Sequence, residues 1–132
     1  MHDGDHVAIG GCLYSRPPLA LTWDLTWAFL RRWPYRFTTL SRNLTSYEGE
    51  WAVVAGAVDK LVTSWMGVGL PGPLPHPARA VERGRIVFEE WSHLGLGLCF
   101  RAAAMGVLFL PSLTMLDSGL VEVGGSKTIE CP

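Results

Sequence analysis

DGDHVAIGGCLYSRPP, residues 3–18, reads as a buried strand, a tight exit turn and the opening of a helix. Val7, Ala8 and Ile9 form a short apolar run, and such a run bounded by turn residues is the pattern of a buried strand. Gly10 and Gly11 close it, where a backbone without side chains can turn sharply and let another group approach. Ser15 is placed to cap a helix, and Pro17-Pro18 to open one, because the first helical turn has no use for their missing N–H groups. A strand that passes through a glycine turn into a helix is the first unit of a parallel α/β sheet.

Outward from this unit the pattern repeats. Between Leu19 and Arg32, the stripes Leu21-Leu25-Ala28 and Trp23-Trp27-Leu30 predict a helix covered on two sides and stopped by Pro34. Phe37 to Ser41 reads as a strand, Arg42 to Glu50 as a polar loop, and Trp51 to Val58 as a short buried helix. Lys60 to Trp65 is a further strand, followed by the loop GVGLPGPLPHP, whose glycines and prolines cannot hold a ladder. Pro77 to Arg83 predicts a helix ended by Gly84, Ile86 to Trp91 a strand, and Leu94 to Met105 a helix closed by Gly106. Val107 to Leu110 reads as a fully apolar strand stopped by Pro111. The alternation predicts an α/β chain with a mostly parallel open sheet and helices on both faces, over residues 1–120, with 121–132 an irregular tail. Ligands of such sheets bind beyond the carboxyl ends of the strands. The positions to watch are therefore Gly10-Gly11-Cys12, Ser41 to Thr45, Met66 to Gly69, Ser92-His93 and the segment from Ser112 onward.

Bulk properties narrow the function classes. With 132 residues, 48% of them hydrophobic, the chain has material for one core and too little for two ordinary domains. Eleven basic residues against 12 acidic ones leave a net charge of -1, and no basic run exceeds Arg31-Arg32, so nucleic acid is not an expected partner. Cys12, Cys99 and Cys131 are odd in number and lack CxxC spacing, which fits reduced thiols better than disulfides or zinc, and the four histidines show no metal-ligand spacing. The N-terminus has no basic and apolar secretory pattern, and Ala102 to Leu110 is too short to span a bilayer, so the expectation is a soluble cytoplasmic protein. Without a leader, the acceptor pattern Asn43-Leu44-Thr45 is coincidental. Trp23, Trp27, Trp51, Trp65 and Trp91 fall mostly in apolar patterns and read as core or interface rather than as a ligand cage. A mean hydropathy of +0.22 is high for so small a chain and points to apolar surface that meets a partner.

The opening stretch resembles the N-terminal signature of the family I CoA-transferases, through Asp3, Gly4, Val7, Ala8, Ile9, Gly10, Gly11 and Pro18, with Cys12 where that family has Phe and Arg16 where it has Gly. VDKLVTSWMGVG, PARAVERGRIVFEEWSHLGLGLCFRAAAMGVLFLP and LDSGL resemble successive blocks of the A-type subunit of glutaconate and 3-oxoacid CoA-transferases. The resemblance implies a coenzyme A thioester as substrate, no permanently bound cofactor, and carboxylate nucleophilic catalysis through anhydride and enzyme-CoA thioester intermediates. It also implies that the nucleophilic glutamate lies on a B-type partner subunit, so neither Glu89 nor Glu90 is the nucleophile by this route. Against the family's length, the chain is expected to be truncated, lacking a helix before the first strand and further elements after Leu120.

In this resemblance His93 stands where 3-oxoacid transferases carry an oxyanion-stabilising glutamine and related CoA-ester hydrolases a catalytic glutamate. A histidine there could donate to an oxyanion or act as a base; by spacing alone it reads as an ordinary loop residue beside Trp91, and the resemblance brings the two readings level. Gly10, Gly11 and Ser92 are the expected ligand-binding positions. Three readings follow: an A-type subunit in CoA transfer or CoA-ester hydrolysis, a non-catalytic CoA-binding or scaffold remnant, and a sugar-phosphate isomerase-like α/β half. The last requires a phosphate-binding basic cluster that the sequence does not display.

Overall fold

A computed structural model describes residues 2–30, 39–124 and 126–130. In chain order its elements are β1 (His6–Ala8), α1 (Leu19–Leu30), β2 (Thr39–Ser41), β3 (Leu44–Thr45), α2 (Tyr47–Val54), β4 (Lys60–Thr63), β5 (Trp65–Met66), α3 (Pro75–Glu82), β6 (Val87–Glu90), α4 (His93–Met105) and α5 (Leu120–Val123). Strands β1, β2, β4 and β6 form one sheet in that order, parallel throughout, and β3 pairs with β5 in a second, two-stranded parallel sheet.

The register explains the core. Val7, Leu40, Leu61 and Phe88 stand opposite one another across four strands, and side chains on a strand alternate between faces, so these four share one face. Leu21 of α1, Trp51 and Ala52 of α2, and Ala80 of α3 pack against that row, and α2 lies between α1 and α3. The other face carries His6, Ser41, Lys60 and Glu89. Helix α4 starts on this side, since Asn43, two residues beyond Ser41, donates to the carbonyl of its first residue, His93. Helices therefore cover both faces, as the alternation predicts.

Several local readings are corrected. Ser15 does not cap α1: its N–H closes a turn on the Cys12 carbonyl at 2.9 Å, and the helix begins later, with Thr22 N–H on the Pro18 carbonyl at 3.0 Å. The polar stretch 42–50 is not loop but contains β3 and the first half of α2. Gly49 sits inside that helix because any Cβ there would strike the Thr45 side chain. Val107 to Leu110 is not a strand; Leu108 is 101% exposed. Beyond β6 no described strand offers it a ladder, and an unpaired backbone is better left to water. Trp23 and Trp27 lie on the surface, Trp23 being 62% exposed. The predicted helix stop at Pro34, the strand start at Phe37, the side chains of Leu25, Ala28 and Leu30, and Cys131 lie outside the described residues. The tail opens with the short α5 against β6.

The row across the sheet fixes where mutations hurt. Leu61→Ala, at a fully buried position, is expected to cost about 2–5 kcal/mol. Val87→Ala, on the other face and 60% exposed, is expected to stay within about 0.5 kcal/mol. Urea denaturation of both variants checks this, and equal losses would contradict the assignment of faces.

Candidate functional site

Because all four strands of the main sheet are parallel, their carboxyl ends lie along one edge. That edge receives Ile9-Gly10-Gly11 after β1, Arg42-Asn43 after β2, Ser64 after β4, and Trp91-Ser92-His93 after β6. The glycine pair and His93 belong to opposite outer strands, three interstrand spacings or about 14 Å apart. Gly10-Gly11 and Ser92-His93 thus lie on one edge of the sheet without touching each other.

The two glycines differ. Gly11 has φ of 108°, and a Cβ there would collide with the Arg16 carbonyl and stand 3.1 Å from the Arg42 guanidinium, so the turn itself requires glycine. At Gly10 an added Cβ would meet nothing within 4 Å. A side chain at position 10 would enter open space at this edge and leave the fold alone.

Arg42 and Asn43, at the end of β2, hold the two flanks. The Arg42 guanidinium is completely buried and ion-paired with the equally buried Glu48, and its Nη2 donates to the Leu13 carbonyl at 2.8 Å. Leu13 has φ of 45°, a left-handed conformation that a bulky residue adopts only where its surroundings hold it. Glu48 also accepts from the Ser46 N–H at 2.7 Å, which fixes the start of α2. Asn43 turns the other way: its Nδ2 donates to the His93 carbonyl at 3.0 Å, while the Ser64 hydroxyl reaches Asn43 Oδ1 at 2.5 Å. Sequence reasoning places Arg42 and Asn43 in the watched stretch Ser41 to Thr45 without a role for either, and does not single out Glu48. The one signal is the spacing Ser46-x-Glu48 close after an Arg.

Ser92 caps α4, its hydroxyl accepting the Gly95 N–H at 2.9 Å and lying 3.3 Å from the Thr114 hydroxyl. The hydroxyl is thus engaged in the fold. His93, the first residue of α4, is exposed, and its ring makes no hydrogen bond among the described residues. That leaves both ring nitrogens available to a ligand at the edge. Ser41 ties β2 to β1 through the His6 ring at 2.5 Å.

On the second face, burial pushes the Glu89 carboxyl up, but bonds from Lys60 and the Trp91 indole, with the charges of Lys60 and His6, outweigh it and hold Glu89 below its ordinary 4.5. Partial burial and the Glu89 charge hold the Cys99 thiol above its ordinary value. Among the described residues no three of His, Cys, Asp and Glu gather as a metal site, and no helix is long and apolar enough to cross a membrane.

No protein-family model matches the chain. An uncharacterized protein of Archaeoglobus fulgidus is 28% identical over 132 residues, covering 98% of this chain and 28% of that protein. The A-type subunit of the glutaconate CoA-transferase of Acidaminococcus fermentans is 27% identical over 128 residues, covering 95% of this chain and 38% of its own. The chain therefore spans well under half the length of these curated relatives. Among solved structures, a chain from a single-site variant of the decarboxylase AibA/AibB superposes with a TM-score of 0.80 at 27% identity, covering 100% of this chain and 50% of its own. The glutaconate coenzyme A-transferase of Acidaminococcus fermentans superposes with a TM-score of 0.78 at 24% identity, covering 92% and 37%. The fold is that of a family I CoA-transferase A-type subunit, as the sequence blocks imply.

Two outcomes test the geometry of the edge. Arg42→Met strands the Glu48 carboxylate in the interior and is expected to cost about 3–5 kcal/mol, most of which Arg42→Met/Glu48→Leu regains; chemical denaturation of both measures it, and a double variant no better than the single one refutes the pairing. Glu89, with its folded value below the unfolded 4.5, adds stability that is present above that value and lost as pH falls through the folded one. Lys60→Met brings the folded value back toward the unfolded one and so shrinks that acid loss, as denaturation across an acid pH series would record.

Proposed function

We propose that the chain acts as an A-type subunit in an acyl-CoA-transferring or acyl-CoA-ester-hydrolysing complex, with the nucleophilic glutamate on a B-type partner subunit. The observation that carries this reading is the similarity to the A-type subunit of a glutaconate CoA-transferase along 95% of the chain, because the similar stretch includes both Gly10-Gly11 and Ser92-His93 at the carboxyl edge of the sheet. The open space at Gly10 and the unengaged ring of His93 support it chemically, since they leave room and a hydrogen-bonding ring at the same edge of the sheet.

In this reading the partner's carboxylate attacks the thioester carbonyl, the carbonyl oxygen gathers negative charge, and the CoA thiolate leaves an acyl anhydride behind. His93 donates a ring N–H to that oxygen from the amino end of α4, where backbone N–H groups add a favourable field. Attack by the thiolate on the anhydride, at the partner's own acyl carbon, then frees a carboxylate and gives the enzyme-CoA thioester. Gly10 and Gly11 leave room for the thioester arm, and Ser92 holds the helix end that presents His93. The structural likeness to a decarboxylase makes carbon dioxide release a readout worth taking in the same assay.

The test is turnover of acyl-CoA donors by the complex of this chain with its co-purifying partner. His93→Ala is expected to lower kcat at least a hundredfold, in line with loss of one oxyanion donor, with assembly intact. His93→Gln recovers part of it if the ring is a donor and none if it is a base. Unchanged turnover in His93→Ala removes this residue from the mechanism. Gly10→Val is expected to fold normally and lose acyl-CoA binding, whereas Gly11→Val fails at folding; calorimetry beside a thermal melt distinguishes the two.

A further inference from the structure

We infer that the chain carries a second ligand site, for a phosphomonoester with a small apolar body, at the end of the sheet opposite the glycine loop. A cavity of about 450 Å³ lies there, within the range that holds small ligands. Val58 and Ile86, both buried, line it just before β4 and β6 begin, and the end of α2 and one face of α3 complete it. Since the strands are parallel and β4 has four residues, about 13 Å of sheet separates this cavity from the carboxyl edge that carries Gly10 and His93. A ligand in one does not occupy the other.

The rim is basic. Arg79, Arg83 and Arg85 all line the cavity, with His76 beside them. Arg79 and Arg83 stand four residues apart, on the same side of α3 and its capping residue, where like charges repel. None of the three guanidinium groups has an ion-pair partner among the described residues, in a chain whose net charge is -1. The nearby carboxylate, Glu50, is engaged by the His76 ring. An arrangement that is repulsive when empty becomes favourable around an anion. Three forked guanidinium groups supply more donors than one carboxylate can accept and match the oxygens of a phosphoryl dianion. The buried valine and isoleucine behind them suit an apolar group carried by that phosphate.

The experiment is calorimetric titration of the full chain with phenyl phosphate, with amide NMR shifts recorded in parallel. Saturable one-site binding is expected, with shifts at Gly56, Val58 and Ala80. Arg79→Gln/Arg83→Gln should weaken it at least tenfold. Arg101→Gln, which removes an equal kind of charge from α4, should not change it. Arg79→Lys/Arg83→Lys, which keeps charge and fold, should bind between wild type and the Gln pair. Benzyl alcohol should not bind, and inorganic phosphate and benzoate should bind more weakly than phenyl phosphate. The proposal fails if phenyl phosphate shows no saturation, if Arg101→Gln loses as much as the Arg79 and Arg83 pair, if benzyl alcohol binds equally, or if benzoate binds more tightly. It fails too if the shifts appear at Gly10 and His93 instead, or if only an acidic peptide binds.

Discussion

The buried pair of Arg42 and Glu48 is the constraint on which the functional edge depends. Neither side chain has any exposure, and two charges withdrawn from water are tolerated only when each satisfies the other. Around that pair three pieces of chain acquire fixed positions: the turn at Leu13, the end of β2 and the start of α2. The Arg42 Nε, the Ser46 hydroxyl and the second Glu48 oxygen are buried without hydrogen-bond partners. An ion pair left partly unsatisfied adds little net stability compared with apolar residues of similar size. What it secures is one arrangement, because any other would bury a lone charge.

The same sheet presents two chemically different faces. The row Val7-Leu40-Leu61-Phe88 gathers three helices by apolar burial, which is indifferent to direction. The row with His6, Ser41, Lys60 and Glu89 is held by directed bonds, His6 to Ser41 and Lys60 to Glu89 to Trp91. Parallel sheets are ordinarily apolar on both faces. Here α4 covers the polar side with a helix whose Leu96 and Ala102 are buried while Leu94 and Met105 are exposed. The exposed apolar side chains continue through Leu108, Phe109 and Leu113, so the surface beyond α4 is the least self-sufficient part of the described chain.

What is legible in the sequence is whatever local chemistry decides. The strand, glycine turn and helix of the opening stretch form where Val7, Gly11 and Pro18 place them, and Ser92 and Gly106 bound α4 as their capping chemistry requires. Helix α2 is not legible, because YEGEW has weak intrinsic helicity and the segment is stabilised by side chains outside it: Glu48 to Arg42, and Gly49 against Thr45. Val107 to Leu110 departs from its sequence pattern for the converse reason, since an apolar run is a strand only when a neighbour offers hydrogen bonds. At the site, the places of Gly11, Ser92 and His93 follow from the rule of strand ends. The places of Arg42 and Asn43 follow from it too, but their roles in holding the flanks, and Glu48 altogether, do not, because polar side chains in a glycine-containing stretch look like loop until their burial is seen.

That separation of the flanks needs its own physical cause. Crevices in open parallel sheets usually arise where the strand order reverses and adjacent connections leave in opposite directions. The described strands run β1-β2-β4-β6 with no reversal, so strand order does not set the two flanks apart here. Two consecutive residues do so instead. Successive side chains at a strand end point to opposite sides, and Arg42 uses one side to draw the β1–α1 turn by the Leu13 carbonyl while Asn43 uses the other to hold the start of α4 by the His93 carbonyl. Alternation of side chains, the property that divides the sheet into an apolar and a polar face, thus also divides the edge. The ground between Gly10 and His93 is set by the end of β2, which contributes neither residue.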